Sequence, residues 1–292
     1  MANHYLSEAR RALPDPRFEF IFVGQGQSPM ELGKNCRFLD RPGLGYYGFK
    51  NEGAKAARGR YLVYWDSDCR VKPGYLGLAL KAFQDNPDVI GLGGLTLYDG
   101  NGYFGRVYTA LNFGPHFKNP PRYTRLSVTV NNICLIRSAF PSHPFGPFTG
   151  RTGGDSHITQ YAVKKGKPFL QHRGLISYHE DQTGHWRTLV ERSLRDLFQP
   201  VLKARPSSKR GAWTLAFLNW PLLSLKRVRR ILVYGRAVGL NWREMACSPL
   251  FLAYLALLEG VSLLCMAIWP PLIRKWLHFQ FGSSWVKARG IR

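Results

Sequence analysis

Short apolar segments alternate with amphipathic ones along the first 200 residues. Residues 18–23 and 61–65 are apolar and β-prone, which predicts two strands, and residues 46–58 between them predict a helix that ends at Gly59. Residues 61–65 are apolar at every position, as is typical of a strand covered on both faces. The order strand, helix, strand predicts an α/β sheet.

The same alternation continues to residue 202 without an internal repeat. Leu76, Leu80 and Phe83 recur at helical spacing, which predicts a helix over residues 74–86. The pattern also predicts strands over 89–97, 127–136 and 176–179 and helices over 156–165 and 186–202. We therefore expect one α/β domain over residues 1–202.

After residue 202 the composition changes. A polar joint at 205–211 precedes an apolar segment at 213–225, and residues 250–273 contain a single charge, Glu259. Because about 20 apolar residues span a bilayer, residues 203–292 are predicted to be a membrane-associated helical region, with a transmembrane or in-plane helix at 250–273. A buried helical hairpin is the alternative, since Glu259 weakens a spanning interpretation.

The charge distribution indicates which kind of anionic partner the protein binds. The chain carries 41 Lys and Arg against 18 Asp and Glu, a net charge of +23, and residues 201–292 hold 15 of these cations with two acids. Basic residues beside apolar segments favour an anionic membrane lipid over a nucleic acid. The positive-inside bias places the first 200 residues on the cytoplasmic side. A polybasic nucleic-acid-binding protein is the rival class, and it would carry its cations along a groove of the folded domain.

Two carboxylates follow the strand at residues 61–65 directly, in the triplet Asp66-Ser67-Asp68. Ligands of α/β sheets bind at the carboxyl ends of the strands, so both acids are expected to face a crevice. Mg²⁺ or Mn²⁺ is commonly held by one or two carboxylates together with substrate phosphates. The alternative is a polar turn that caps the following segment.

Residues 43–76 resemble the core of the family 2 glycosyltransferases of the GT-A fold. That pattern runs from a helix containing Gly and Asn, through an A-x-G turn and a hydrophobic strand, into D-x-D and a proline. The residues that match it are Asn51, Gly53, Ala57, Gly59, Asp66, Asp68 and Pro73. The resemblance implies a GT-A-like, mostly parallel sheet flanked by helices.

The resemblance also implies an activity and a set of roles. The protein would be an inverting glycosyltransferase that moves a sugar from a nucleotide-diphosphate sugar to the hydroxyl of a cell-envelope or lipid-linked glycan. Asp66 would contact the donor, with Lys50 and Asn51 also in the donor site, and Asp68 would bind Mn²⁺ or Mg²⁺. A cation such as Lys50 suits the leaving diphosphate, whose charge must be neutralised.

Two downstream elements extend the resemblance to about residue 179. Gly153-Gly154-Asp155 looks like the family's E-D-x-x-L element, which makes Asp155 the general base, although the usual preceding acid is Gly154 here. A carboxylate at a helix N-terminus is kept ionised by the helix dipole, whereas the ordinary alternative is an N-cap. Residues 176–179 look like the late strand whose His179 lies near the metal, and a structural histidine is the alternative.

Two departures from the family pattern bear on function. The usual first strand is missing before Phe18, where residues 3–13 look like the helix that should follow it. The family's D-D-G-S after the next strand is replaced by residues 24–27, Gly-Gln-Gly-Gln, so the acid that recognises the base is absent. A catalytically inactive family member that acts as a membrane-bound scaffold is therefore a second interpretation.

Overall fold

A computed structural model describes residues 15–27, 34–98, 102–118, 122–123, 128–147, 153–179, 193–194, 196–197, 209–269, 271–272 and 275. The chain forms two compact units, one within Met1–Thr96 and Asn119–Glu180 and the other within Leu97–Lys118 and Asp181–Arg292. The predicted boundary at residue 202 falls inside the range of the second unit. That unit also includes residues 97–118, which interrupt the first unit in the sequence. The predicted helix at 3–13 lies outside the described residues, as does most of the one at 186–202.

The elements alternate as the sequence predicts, with several additions. In chain order they are β1 (Phe20–Gly24), β2 (Cys36–Asp40), α1 (Tyr46–Ala56), β3 (Tyr61–Trp65), β4 (Cys69–Val71), α2 (Tyr75–Asp85), β5 (Gly91–Tyr98), α3 (Gly102–Asn112), α4 (Gly114–Phe117), β6 (Arg122–Tyr123), β7 (Asn132–Ile136), α5 (Gly154–Lys165), β8 (Phe169–His179), α6 (Lys209–Tyr234) and α7 (Trp242–Ile268). The sequence pattern did not predict β2, β4, β6, α3 or α4.

The directions of the strands differ from the mostly parallel sheet that was expected. The larger sheet has the order β3-β7-β5-β8-β4, with β6 also on β8, and β1 pairs with β2 separately. The α/β class with helices beside the sheets is confirmed, but "mostly parallel" is corrected: β1–β2 is parallel, whereas β3–β7, β5–β7, β4–β8 and β6–β8 are antiparallel. Strand β7 inserts between β3 and β5 and runs opposite to both. A short apolar strand has the same sequence pattern in either direction, so periodicity could not show this.

Strand β7 supplies side chains to both faces of the larger sheet. Ile133 and Leu135 pack with buried residues of α1 and α5, whereas Cys134 packs with those of α2. This alternation is the period of two that a strand requires. The sheet is consequently covered on both sides, as the uniformly apolar β3 predicts.

A buried amide joins the central strands of that sheet. The Asn132 side chain donates to the carbonyls of Leu95 at 2.8 Å and Leu175 at 3.1 Å, and it accepts from the Tyr75 hydroxyl at 2.6 Å. A Cβ on Gly94 would lie 2.2 Å from the Asn132 amide oxygen, so only glycine fits at that position. The polar group is satisfied, and β5, β7 and β8 are tied at one point.

In the second unit, α6 and α7 enclose an ion pair. Nη2 of Arg227 lies 2.5 Å from Oε1 of Glu259, and the two residues are 5% and 0% exposed. Glu259 is the charge that weakened the spanning interpretation of residues 250–273. It is neutralised here by the neighbouring helix, which is how charges in apolar segments are usually accommodated.

Helix α7 is long and apolar enough to cross a membrane. Its segment Trp242–Cys265 has 24 residues and contains an 18-residue window with a mean hydropathy of 1.7, of which only 28% is buried, and this argues against a buried hairpin. The helix starts with a capping box between Asn241 and Glu244 and ends at Ile268, so it overlaps the predicted 250–273 but begins and ends earlier. One such helix is by itself weak support for membrane association.

Helix α6 contains the apolar segment at 213–225 and continues through a basic cluster at 226–230. It has 26 residues, with Pro221 inside it. Its side chains Leu218, Leu222, Leu225 and Leu232 are all more than 60% exposed. Membrane association of this region stays a prediction.

The ion pair gives a stability prediction. Glu259→Gln leaves Arg227 buried without its counter-charge, so we expect a loss of about 3–5 kcal/mol. The double variant Arg227→Met with Glu259→Leu removes both charges and should recover most of that loss. Thermal unfolding of the detergent-purified protein, followed by tryptophan fluorescence, measures both. A double variant as unstable as Glu259→Gln would contradict the assignment.

Candidate functional site

The turn after β3 and the end of β8 bring three predicted site residues together. Antiparallel pairing of β4 with β8 sets Cys69 opposite His179, immediately after the turn that carries Asp66 and Asp68. Nε2 of His179 lies 3.4 Å from Oδ1 of Asp68 and 4.0 Å from Oδ2 of Asp66. His179 is therefore a neighbour of both carboxylates, although 111 positions separate it from Asp68 in the chain. Its role as a metal ligand stays a prediction.

The donor atoms of this cluster fit a hard divalent cation. One ligand atom from each of Asp66, Asp68, Cys69 and His179 lies within 4.8 Å of the others. Carboxylate oxygens and an imidazole nitrogen suit Mn²⁺, and carboxylates suit Mg²⁺. Burial raises the pKa of the Cys69 thiol, and the charge of Asp66 raises it further. Thiolates also suit softer metal ions than Mn²⁺ or Mg²⁺. The fitting set is thus the two aspartates and His179.

Asp66 is held as a carboxylate by α1. Nζ of Lys50 lies 2.5 Å from its Oδ1, and the Tyr46 hydroxyl lies 2.8 Å from both carboxylate oxygens. Burial acts to raise the pKa of Asp66, but the Lys50 charge and the hydrogen bonds from Lys50 and Tyr46 outweigh it and leave that pKa lowered. The Lys50 ammonium predicted for the donor site is thus paired with a second residue of that site.

The next residue of α1 reaches the predicted base. The Tyr47 hydroxyl donates to Oδ1 of Asp155 at 2.7 Å, and the rings of Tyr46 and Tyr47 meet edge to face with centroids 4.9 Å apart. Two adjacent tyrosines thereby connect the carboxylate after β3 with the carboxylate of α5. Sequence reasoning missed both, because the only local sign is an aromatic pair at the start of a helix.

Asp155 lies in the first turn of α5, one residue inside its start at Gly154. The N-cap is Gly153, which makes no side-chain cap bond, so the N-cap alternative for Asp155 is wrong. The position still places the carboxylate beside the positive end of the helix dipole, which favours its ionised form.

The missing acid at Gly154 has a steric explanation. A Cβ at that position would lie 2.4 Å from Cε1 and 2.6 Å from Cδ1 of the Tyr47 ring. Tyr47 is 2% exposed, so its ring cannot move aside cheaply. The glycine and the tyrosine therefore form a matched pair: the ring occupies the space of the family's usual acid and binds the acid that follows.

Asn51 lies on the face of α1 that carries Tyr47, and it binds the backbone of a nearby turn. It is buried, its amide donates to the carbonyl of Gly146 at 2.9 Å, and it accepts from the backbone N–H of Phe145 at 3.1 Å. These hydrogen bonds hold the turn at 145–146 and do not reach the carboxylates. The donor-binding role of Asn51 stays a prediction.

An acid from β2 lies beside the loop where the family's D-D-G-S is missing. The parallel pairing of β1 with β2 sets Gly24 opposite Asp40, and the N–H of Gly26 donates to the Asp40 carboxylate at 2.9 Å. Because β2 was not predicted, this contact could not be foreseen from the sequence.

A family model agrees with the pattern over part of the chain. The family model described as glycosyl transferase family 2 matches residues 16–140, which include Lys50, Asn51, Asp66 and Asp68 but neither Asp155 nor His179. No curated protein matches the chain. A similar solved structure is the mannosyltransferase PcManGT from Pyrobaculum calidifontis in complex with GDP-Man and Mn²⁺; it is 14% identical, with a TM-score of 0.46, and the match covers 100% of this chain and 83% of that chain.

The pairing of Gly154 with Tyr47 gives a second prediction. Gly154→Ala should destabilise the protein by about 1–3 kcal/mol, because the added methyl group overlaps the buried ring. In a Tyr47→Ala background the same change should cost much less. Unfolding temperatures of the four proteins measure this coupling.

Gly77→Ala is the matched control. Gly77 is a helical glycine in α2 whose Cβ would meet nothing within 4 Å, so alanine there should be neutral or stabilising. An equal effect of the two single changes would mean that the Tyr47 ring yields without cost, contrary to the prediction.

Proposed function

We propose, from the match of residues 16–140 to the family model described as glycosyl transferase family 2, that the protein is an inverting, metal-dependent glycosyltransferase. It moves a sugar from a nucleotide-diphosphate sugar to a hydroxyl acceptor. The observation that carries the proposal is the convergence of Asp66, Asp68 and His179 at the strand ends, joined through Tyr46 and Tyr47 to Asp155.

On the donor side, side chains of the protein bind the nucleotide sugar and offset the charge of its diphosphate. Asp68 and His179 would hold Mn²⁺ or Mg²⁺, which would neutralise negative charge on the leaving diphosphate. Asp66 binds the sugar and ribose hydroxyls as a hydrogen-bond acceptor, a role that its lowered pKa suits. Lys50 adds positive charge near the same diphosphate.

On the acceptor side, Asp155 is the general base. Its carboxylate takes the proton of the acceptor hydroxyl as that oxygen attacks the anomeric carbon from the face opposite the nucleotide. The bond from the anomeric carbon to the acceptor oxygen forms, the bond to the diphosphate oxygen breaks, and the configuration inverts. The electron pair leaves with the nucleoside diphosphate and the proton stays on Asp155. Tyr47 is a positioning residue, since it orients the Asp155 carboxylate by one hydrogen bond.

We further propose that the second unit keeps the enzyme at a membrane that contains anionic lipid, with the catalytic unit on the cytoplasmic side. The exposed leucines of α6, its basic cluster and the apolar α7 support this. A lipid-linked or cell-envelope glycan is then the acceptor class, because such acceptors are presented at the membrane surface.

The donor site is tested by ligand-induced stabilisation of the full chain. A nucleotide that binds only the folded protein raises its unfolding temperature, so one of UDP, GDP, dTDP or CMP should do so in the presence of Mn²⁺ and fail to do so without it. Asp68→Asn should abolish the shift while it leaves the unfolding temperature of the free protein nearly unchanged.

Asp85→Asn is the control for loss of one carboxylate. Asp85 is exposed and pairs only with Lys81 among its described contacts, at 3.0 Å on the surface of α2, so its loss should not affect the nucleotide shift. If no nucleotide stabilises the wild-type protein, the inactive scaffold becomes the better interpretation.

The base is tested with the donor that the stabilisation assay identifies. Asp155→Asn should lower kcat by about 10²–10⁴-fold and keep the nucleotide shift, because only proton transfer is lost. Tyr47→Phe keeps the ring against Gly154 but removes a hydrogen bond that favours the ionised carboxylate. The pKa of Asp155 should rise, and the acidic limb of the pH–kcat profile should move to higher pH. An unchanged profile in Tyr47→Phe would contradict the positioning role.

A further inference from the structure

Two cations of α6 lie level with the middle of α7. Lys226 and Arg230 line a small cleft together with Phe251 and Leu255 of α7. Phe251 and Leu255 lie near the middle of Trp242–Cys265, the segment that is long and apolar enough to cross a bilayer. If that segment crossed a membrane, both cations would lie close to the middle of the hydrocarbon core.

The two helices run antiparallel along each other, so they share this level over a long stretch. Ile231 of α6 packs in one buried cluster with Leu252 of α7. A Cβ on Gly260 would lie 2.9 Å from the Trp220 ring, and the buried ion pair of the two helices falls between these contacts in both sequences. Residues 226–230 therefore stay beside α7 at whatever depth α7 adopts.

Helix α3 packs against the same part of α7. Val107 and Leu111 of α3 belong to the buried cluster that contains Ile231 and Leu252. Helix α3 has 11 residues and is about 16 Å long, whereas the hydrocarbon core of a bilayer is about 30 Å thick. Beside a spanning α7, at least one end of α3 would lie inside that core, where the free backbone groups of a helix end find no partner. The packing of α3 therefore argues against a span.

The exposed charges of α6 require headgroups or water within reach. Lys226 and Arg229 are both exposed. Arg229 lies four residues after Leu225 and three before Leu232, so it shares a helix face with two exposed leucines. An exposed cation at the centre of a bilayer is costly. In a helix that lies at the boundary of headgroups and acyl chains, the leucines enter the acyl chains while long cationic side chains extend to the phosphates.

Helix α7 exposes one continuous apolar stripe. Its residues are spaced alternately by four and three positions, which places them on the helix face opposite Glu259. The side chains of this stripe are all at least half exposed: Leu250, Tyr254, Leu257, Val261, Leu264 and Ile268. A second copy of the chain would bring the cations of two α6 helices towards each other, whereas anionic lipid neutralises them. The stripe and the cations together therefore favour a lipid leaflet as the partner.

We propose that α6 and α7 lie together in the plane of the membrane, within one anionic leaflet, and that α7 does not cross the bilayer. This inference rests on the proposed membrane association and narrows it to one geometry. The leucines of α6 and the stripe of α7 contact acyl chains, and Lys226 and Arg229 reach lipid phosphates. Both ends of α7 then lie on the cytoplasmic side.

The test compares the two ends of α7 in sealed inside-out membrane vesicles from cells that express the full chain. Cys36, Cys247 and Cys265 are first replaced by serine, and Arg243→Cys or Lys275→Cys then provides one exposed thiol near either end. A membrane-impermeant maleimide is added before or after detergent. We expect each position to label as fully in intact vesicles as after detergent, because an in-plane helix leaves both ends on the outer face of such vesicles.

Lys81→Cys is the matched control. It also replaces an exposed cation, on the surface of α2, and it marks the side on which the unit with the candidate site lies. The parent without an introduced thiol reports any labelling of Cys69 and Cys134, which are both buried. A soluble protein enclosed in the vesicles shows that they are sealed. Unfolding temperatures of the purified variants check that each one is folded.

A second comparison tests what holds the protein at the membrane. Leu222→Glu with Leu225→Glu should lower the partition coefficient onto phosphatidylglycerol-containing liposomes by about tenfold or more, because two leucine side chains lose their contact with acyl chains. Val163→Glu makes the same kind of change on the exposed surface of α5 and should leave the partition coefficient unchanged. A spanning α7 would retain the double variant as firmly as the wild-type protein.

Three results would overturn the proposal. If the protein floats with the vesicles but Arg243→Cys or Lys275→Cys labels only after detergent, α7 crosses the bilayer. If the leucine double variant floats as well as the wild-type protein, α6 does not lie in the leaflet. If the wild-type protein does not float at all, the membrane association itself is wrong, and the in-plane position falls with it.

Discussion

The ion pair of Lys50 with Asp66 holds α1 against the ends of the sheet strands, and the candidate site depends on it. Both side chains are largely removed from water, so the pair cannot open without leaving a buried charge, which costs several kcal/mol. The pair sets the rotation of α1, whose same face also carries Tyr47 and Asn51. Tyr47 then meets Asp155, and Asn51 meets the turn at 145–146. One helix face therefore contacts both carboxylates of the candidate site, Asp66 and Asp155.

Gly154 and Tyr47 are matched to each other at the start of α5. A Cβ on Gly154 would overlap the ring of Tyr47, and the Tyr47 hydroxyl donates a hydrogen bond to Asp155. An acid at position 154 would add negative charge beside Asp155, whereas the tyrosine hydroxyl orients its carboxylate and favours the ionised form.

The same physical rule operates in the second unit. Glu259 lies in the most apolar helix of the chain, and Arg227 of α6 neutralises it, so the two helices are matched to each other by a buried pair. A guanidinium has more donors than one carboxylate can satisfy, and Nη1 of Arg227 is buried without a hydrogen-bond partner among the described residues.

The local sequence pattern determined several elements and candidate site residues of this protein. The apolar run of β3, the acids after it, the helix that holds Asp155 and the apolar α7 follow from composition and periodicity, because these signals come from neighbours within a few turns or strand positions. Strand direction, the hydrogen bond from Tyr47 to Asp155 and the partner of Glu259 do not. They join residues many positions apart, and the sequence contains no local signal for which distant side chains meet. Only the packing of α1 on the strand ends and of α6 on α7 decided those contacts.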